Sequence, residues 1–219
     1  LDNPQPFLDV GSLWRLSAPL TDTGAVTIRM RGSVDGDTWD AWIAHDHFHL
    51  TDSGDMYGHL MTFSSETRFI QFEIMWNTRT DVRIDSVELS FISPGNTPDT
   101  VLSQLSAPTS AEGIARLDVP AQNVTSRTNW GGPEGQNSPQ WSPVYTPVTH
   151  MIVHHTVTPN GENDYAARVR SIWQYHTNTL GWGDIGYNFL IDANGVIYEG
   201  RAGGEGSRGA HFSCMNSNT

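Results

Sequence analysis

Two patterns of apolar and polar positions divide the chain. Over the first 95 residues the pattern has a period near two. Ala25-Val26-Thr27-Ile28-Arg29-Met30-Arg31 is rich in β-formers, and Ser33-Val34-Asp35-Gly36-Asp37-Thr38-Trp39 supplies an Asp-Gly turn before an expected aromatic strand. In Arg68 to Ile74, Phe69, Gln71 and Glu73 alternate with Ile70, Phe72 and Ile74. Val82, Ile84, Val87, Leu89 and Phe91 close the set, and no helical period intervenes. Short strands with regular turn signals predict an N-terminal antiparallel β-sandwich over residues 1–95.

The pattern breaks at Ser93-Pro94-Gly95-Asn96-Thr97-Pro98. A Ser-, Thr-, Pro- and Ala-rich stretch follows, with room for a short helix from Thr100 to Leu105, and predicts a linker over residues 96–123. Asn123-Val124-Thr125 matches a glycosylation sequon, too short a motif to carry weight.

Residues 124–219 follow a different rhythm. Thr149 to His155 contains consecutive Met151, Ile152 and Val153, which predicts a central strand covered on both faces. Thr158-Pro159-Asn160-Gly161 ends it in a turn. Asp164 caps a helix expected to run to about Thr177, because Val169, Ile172, Trp173 and His176 share one helical face. A strand from Ile185 to Ile191 then turns at Asn194-Gly195 into Val196 to Glu199. Strand, helix, strand and hairpin predict an α/β domain with a central mixed sheet flanked by helices.

Charge narrows the partners. The net charge is −12 and all 12 basic residues are arginine, which argues against nucleic acid or an anionic membrane as the main partner. No apolar stretch reaches the length of a membrane span. Cys214 is the single cysteine, so no intrachain disulfide forms; a chain of this size needs none, and secretion stays open. The start at Leu1, without a signal-like segment, fits removal of an export signal.

Candidate chemistry lies in two places. His45, His47 and His49 alternate, so a strand there would present three imidazoles on one face, able to hold zinc or copper or simply facing solvent. His154 and His155 are neighbours, and on a strand they point to opposite faces; one serves a site while the other packs or orients. Tyr187 shares a strand face with Phe189 and Ile191, and at the strand's mouth its phenol can donate to a developing oxyanion.

Five motifs in order carry a family resemblance: Ser126-Arg127-Thr128-Asn129-Trp130-Gly131; Ile152-Val153-His154-His155-Thr156; Gly181-Trp182-Gly183-Asp184-Ile185-Gly186-Tyr187-Asn188-Phe189-Leu190; Val196-Ile197-Tyr198-Glu199-Gly200-Arg201; and Gly209-Ala210-His211. With them, residues 124–219 resemble the peptidoglycan recognition proteins and the related zinc-dependent N-acetylmuramoyl-L-alanine amidases. The N-terminal sandwich, with Asp35-Gly36-Asp37-Thr38-Trp39, is similar to that of secreted bacterial members.

The resemblance implies zinc as cofactor, His154 as its first ligand and Tyr187 as the catalytic tyrosine. It implies that His176, Trp182, Arg201 and His211 line a muropeptide groove. The reaction implied is hydrolysis of the amide between N-acetylmuramic acid and L-alanine in peptidoglycan, by a secreted or cell-surface bacterial protein. The family's two other zinc ligands, a histidine and a cysteine or aspartate, fall beyond the stretch matched here. The expectation is therefore the N-terminal part of an amidase domain, its metal site incomplete within 219 residues. A self-contained site from His154, His211 and Cys214 is the alternative for the metal. For the protein, the alternative is a non-catalytic peptidoglycan-binding or structural surface protein, or a sandwich that itself binds glycan or neighbouring subunits.

Overall fold

The structure, a computed structural model, describes residues 4–45, 48–105, 123–132, 142–204, 206–211 and 216–217. His47 and Cys214 lie outside the described residues. The chain divides into two compact units: Leu1–Ser93 with Thr156–Thr158, and Pro94–His155 with Pro159–Thr219.

The first unit is built from antiparallel sheets. Its strands are β1 (Asp9–Leu16), β2 (Val26–Ser33), β3 (Ile43–Ala44), β4 (Phe48–Leu50), β5 (Met56–Gly58), β6 (Met61–Thr62), β7 (Phe69–Trp76) and β8 (Ile84–Ile92). In one sheet β1 pairs with β8 along one edge and with β5 and β6 along the other, and β4 adds beyond β5. That central place explains why β1 is buried along most of its length. In the other sheet β2 lies between β3 and β7. Val26, Ile28 and Met30 alternate inward on β2, leaving Thr27, Arg29 and Arg31 on the other face.

Both sheets feed one core, where Val10, Trp14 and Met56 join Val26, Ile28 and Met30. The Trp14 ring meets Phe72 edge-on at 5.8 Å. Two antiparallel sheets with a shared apolar interior are what the period-two pattern called for.

The Asp-Gly turn forms as expected. Gly36 takes φ 84°, and Asp35 Oδ1 accepts from the backbone N–H groups of Asp37 (2.9 Å) and Thr38 (2.7 Å). Those two donors hold the Asp35 carboxyl down to about 2. The aromatic stretch after the turn is not a strand. Instead the Arg31 guanidinium stacks over both Trp39 (5.3 Å) and Trp42 (4.6 Å).

The second unit begins at Pro94. It contains α1 (Asp99–Leu102), β9 (Val124–Thr125), α2 (Arg127–Trp130), α3 (Tyr165–Gln174), β10 (Phe189–Ile191) and β11 (Ile197–Glu199). Its sheet is mixed: β11 pairs antiparallel with β10 and parallel with β9. Ser126 caps α2, and Gly131 closes it at φ 81°. Asp164 caps α3 through Ala167 N–H (2.9 Å), as its position predicted. The carboxylate of Asp164 also takes Thr97 N–H (2.6 Å) and Thr97 Oγ1 (2.7 Å). Arg170 donates to the carbonyls of Pro94, Gly95 and Trp130, fixing residues 94–97 against α3.

Beyond Gln174 the helix widens into a π turn, Tyr175–Thr179, where Leu180 N–H reaches back to Tyr175 O (3.1 Å). The Asn194-Gly195 hairpin forms, with Gly195 at φ 81° and Asp192 Oδ1 accepting from Asn194 and Val196 N–H. Among the described residues no helix is long and apolar enough to cross a membrane.

Two further expectations need correction. Thr149 to His155 is not a strand: Met151 is 90% and Val153 85% exposed, and the segment joins no sheet among the described residues. Consecutive apolar residues call for cover on both faces, but a strand exists only where a neighbour completes its ladder. The strand expected from Ile185 is confined to Phe189–Ile191, so Tyr187 lies before it, in a loop pinned by side chains.

Candidate functional site

The loop from Gly181 to Asn188 positions the site, and buried charge shapes that loop. Asp184, fully buried, accepts from Ile185 N–H (2.8 Å) and Ala202 N–H (2.8 Å). Arg127, on α2 and also buried, meets Asp184 Oδ1 at 3.2 Å and donates to Gly200 O. One ion pair therefore ties α2, the 181–188 loop and the end of β11 together. Trp130 adds an indole N–H bond to Glu199 O (2.7 Å).

Glycines allow the close approach. A Cβ at Gly200 would lie 2.1 Å from Tyr187 O, and one at Gly186 would lie 2.9 Å from Ala210 O. Gly200 N–H and Arg201 N–H donate to Asn188 O (2.9 Å) and Tyr187 O (2.7 Å). Ala210 N–H donates to Gly186 O (2.9 Å), which brings the 209–211 segment alongside.

On this frame four rings converge. His154 Nδ1 lies 2.9 Å from His155 O, and His154 Nε2 lies 2.9 Å from His211 Nδ1. The Tyr187 ring stands edge-on to His154 (centroids 5.4 Å), His211 (5.7 Å) and His176 (5.2 Å). Burial, with His154 and Arg201 nearby, pushes His211 down to about 4, so this ring is neutral.

His176 and Arg201 sit differently from simple groove-lining groups. His176 is buried within the π turn; its Nδ1 accepts from Gly186 N–H (3.0 Å) and its ring packs on Trp182 (4.5 Å). Arg201 is buried and donates to the carbonyls of Ile185 (3.2 Å) and Trp182 (3.3 Å); burial lowers it to about 10. Arg201 also lines a pocket of about 180 Å³ with Val144, Arg208, Gly209, Ala210 and Asn216. Arg127 and Asp184 were not singled out as site residues in the sequence. Only their presence within motifs marked them, because their pairing spans 57 positions.

The donor set bears on metal. His154 Nδ1 faces a carbonyl, which only accepts, so in the neutral ring Nδ1 carries the proton and Nε2 the lone pair, the form a metal ligand takes. His154 therefore fits a zinc ligand. The described residues contain no group of three His, Cys, Asp or Glu side chains arranged to hold an ion. The site proposed with Cys214 involves a residue outside the described ones.

A family model described as N-acetylmuramoyl-L-alanine amidase matches residues 144–219. The C-terminal region is a peptidoglycan-recognition/amidase family domain. Peptidoglycan-recognition protein 2 of Holotrichia diomphalia is 41% identical over 96 residues, covering 43% of this chain and 49% of that protein. The N-acetylmuramoyl-L-alanine amidase of Homo sapiens is 38% identical over 91 residues, 40% of this chain and 15% of that protein. The chain thus spans about half the length of the insect relative. A solved bumblebee PGRP-SA is 35% identical over 44% of this chain and 56% of its own, at TM-score 0.38. The Holotrichia and human relatives are animal proteins, and the bacterial origin expected from sequence gains no support from them.

Proposed function

We propose that the C-terminal domain acts on peptidoglycan, hydrolysing the amide between the lactyl group of N-acetylmuramic acid and L-alanine, with zinc as cofactor. The reading rests on one observation: Tyr187 stands against the 2.9 Å His154–His211 pair, on a loop held from behind by buried Asp184 and Arg127. The likeness to the human N-acetylmuramoyl-L-alanine amidase supports it.

His154 would hold the ion through Nε2, whose lone pair accepts from His211 Nδ1–H in the metal-free protein, so that hydrogen bond would give way to the ion. When bound, zinc supplies a Lewis acid and lowers the pKa of a bound water to about 7. The chain's own groups do the rest. The Tyr187 hydroxyl donates to the oxygen of the scissile carbonyl as negative charge gathers there. His176 packs edge-on against the Tyr187 ring, and Trp182 backs His176 from its own ring face. Arg201 and Arg208, at the neighbouring pocket, suit a carboxylate of a stem peptide. A secreted or cell-surface location follows from a substrate that lies outside the membrane.

Purified peptidoglycan incubated with the protein tests this. New L-alanine N-termini that vanish with chelator and return with zinc are expected. Sedimentation with the wall and no release of N-termini would instead assign the domain to binding.

A further inference from the structure

The first unit holds a second histidine pair, on another surface from the one expected. His45 departs from the supposed three-ring face. It precedes β4, turns inward against Phe48 (5.0 Å) and is buried over Gly58, where a Cβ would meet its ring at 2.5 Å. His49, on β4, is exposed and pairs across the ladder with Tyr57 on β5. His59 follows two residues after Tyr57, so it returns to the same side of the ribbon. The Nε2 atoms of His49 and His59 are 3.3 Å apart, with the two rings edge to face at 5.0 Å. The other side of His49 stacks on the Tyr57 ring at 5.4 Å.

We infer that His49 and His59 together form a site for one divalent transition-metal ion of the zinc or copper class.

Distance favours this over an imidazole–imidazole hydrogen bond. Good N–H donors sit nearer 2.9 Å from their acceptors, as His211 does from His154. Two nitrogens bound to one tetrahedral zinc at 2.0–2.1 Å are separated by about 3.3 Å, the spacing found here. Imidazole nitrogen suits zinc and copper and suits magnesium or calcium poorly. Stacking on Tyr57 restricts the His49 ring, so less freedom is lost when an ion binds. Two protein ligands leave the remaining positions of such an ion to water. The bound ion clips β4 to the segment after β5 and stabilises the unit by binding only its folded form.

The test uses the full chain carrying His154→Ala and His211→Ala, which removes the other imidazole pair and separates this proposal from the catalytic one. Calorimetric titration with zinc chloride at neutral pH should show one equivalent bound. His49→Ala and His59→Ala, each added singly, should abolish it. With copper(II), electron paramagnetic resonance should report two equatorial nitrogens in the parent and a changed pattern in either variant. His59→Gln, which keeps a polar group without the ring nitrogen, should lose zinc while leaving the metal-free melting temperature unchanged. Zinc uptake that survives either single substitution, or no uptake by the parent chain, overturns the assignment.

Discussion

His154 Nε2 and His211 Nδ1 face each other at 2.9 Å, although 57 residues separate them. With His154 Nδ1 turned to the His155 carbonyl, the proton between the two rings belongs to His211. Nitrogen-15 shifts of the imidazoles in metal-free protein should report Nδ1–H forms for both rings. In His211→Ala, His154 should keep its form, because the His155 carbonyl fixes it. A switch of His154 to the other tautomer would show that His211, and not the backbone, holds the ring.

Tyr187 tests the proposed chemistry most directly. Tyr187→Phe keeps the ring that packs on His154, His176 and His211 and removes only the hydroxyl. Loss of one oxyanion donor lowers kcat by about 10²–10³-fold. Affinity for muropeptide should change little. Steady-state kinetics on a soluble muropeptide separate the two, and a rise in KM at constant kcat would reassign the phenol to binding.

Local chemistry in the sequence marked the elements that local chemistry builds. Asp164 caps α3 and Asn194-Gly195 turns the hairpin, since each needs only its immediate neighbours. His176 lay on the buried helical face, but nothing in the sequence signalled the π turn that aims it at Gly186 N–H. Met151 to Val153 reads as a buried strand from composition, yet a ladder depends on a partner elsewhere in the chain. The alternating histidines misled because β4 starts at Phe48, placing His45 off the strand and inside the fold. The Arg127–Asp184 pair joins residues far apart in sequence and is visible only in space.

That buried pair should be costly to break on one side. Both side chains are buried, and Asp184 also takes two backbone N–H groups. Asp184→Ala removes a buried carboxylate that the Arg127 guanidinium meets, a change worth about 3–5 kcal/mol. Urea unfolding followed by the fluorescence of the tryptophans should show this loss. Arg127→Met with Asp184→Leu should be less harmful than Asp184→Ala alone, since no charge is then stranded.

Gly200 should tolerate no side chain. Its Cβ would enter the Tyr187 carbonyl at 2.1 Å, a backbone atom that side-chain rotation cannot move. Gly200→Ala should push the Tyr187 backbone away and break the Arg201 N–H bond to it. Overpacking of this kind costs about 1–3 kcal/mol. Peptidoglycan cleavage should fall further than stability does, because the displaced atom belongs to the residue bearing the phenol. Activity that tracks the folded fraction would show that the loop adjusts without moving Tyr187.

His45 should give the first unit its acid sensitivity. Burial, then the proximity of His59, lowers the ring from 6.5 to about 4. The folded state therefore holds His45 neutral under conditions where the unfolded chain takes up a proton. Its contribution is fully present above pH 6.5 and is lost as the pH falls from there towards 4. A shift of that size is worth about 3 kcal/mol at most. Urea midpoints measured across this window should fall as acid is added. His45→Leu removes the titrating ring, so its midpoints should vary less with pH over the same range. An equal slope in the variant would place the proton uptake on another group.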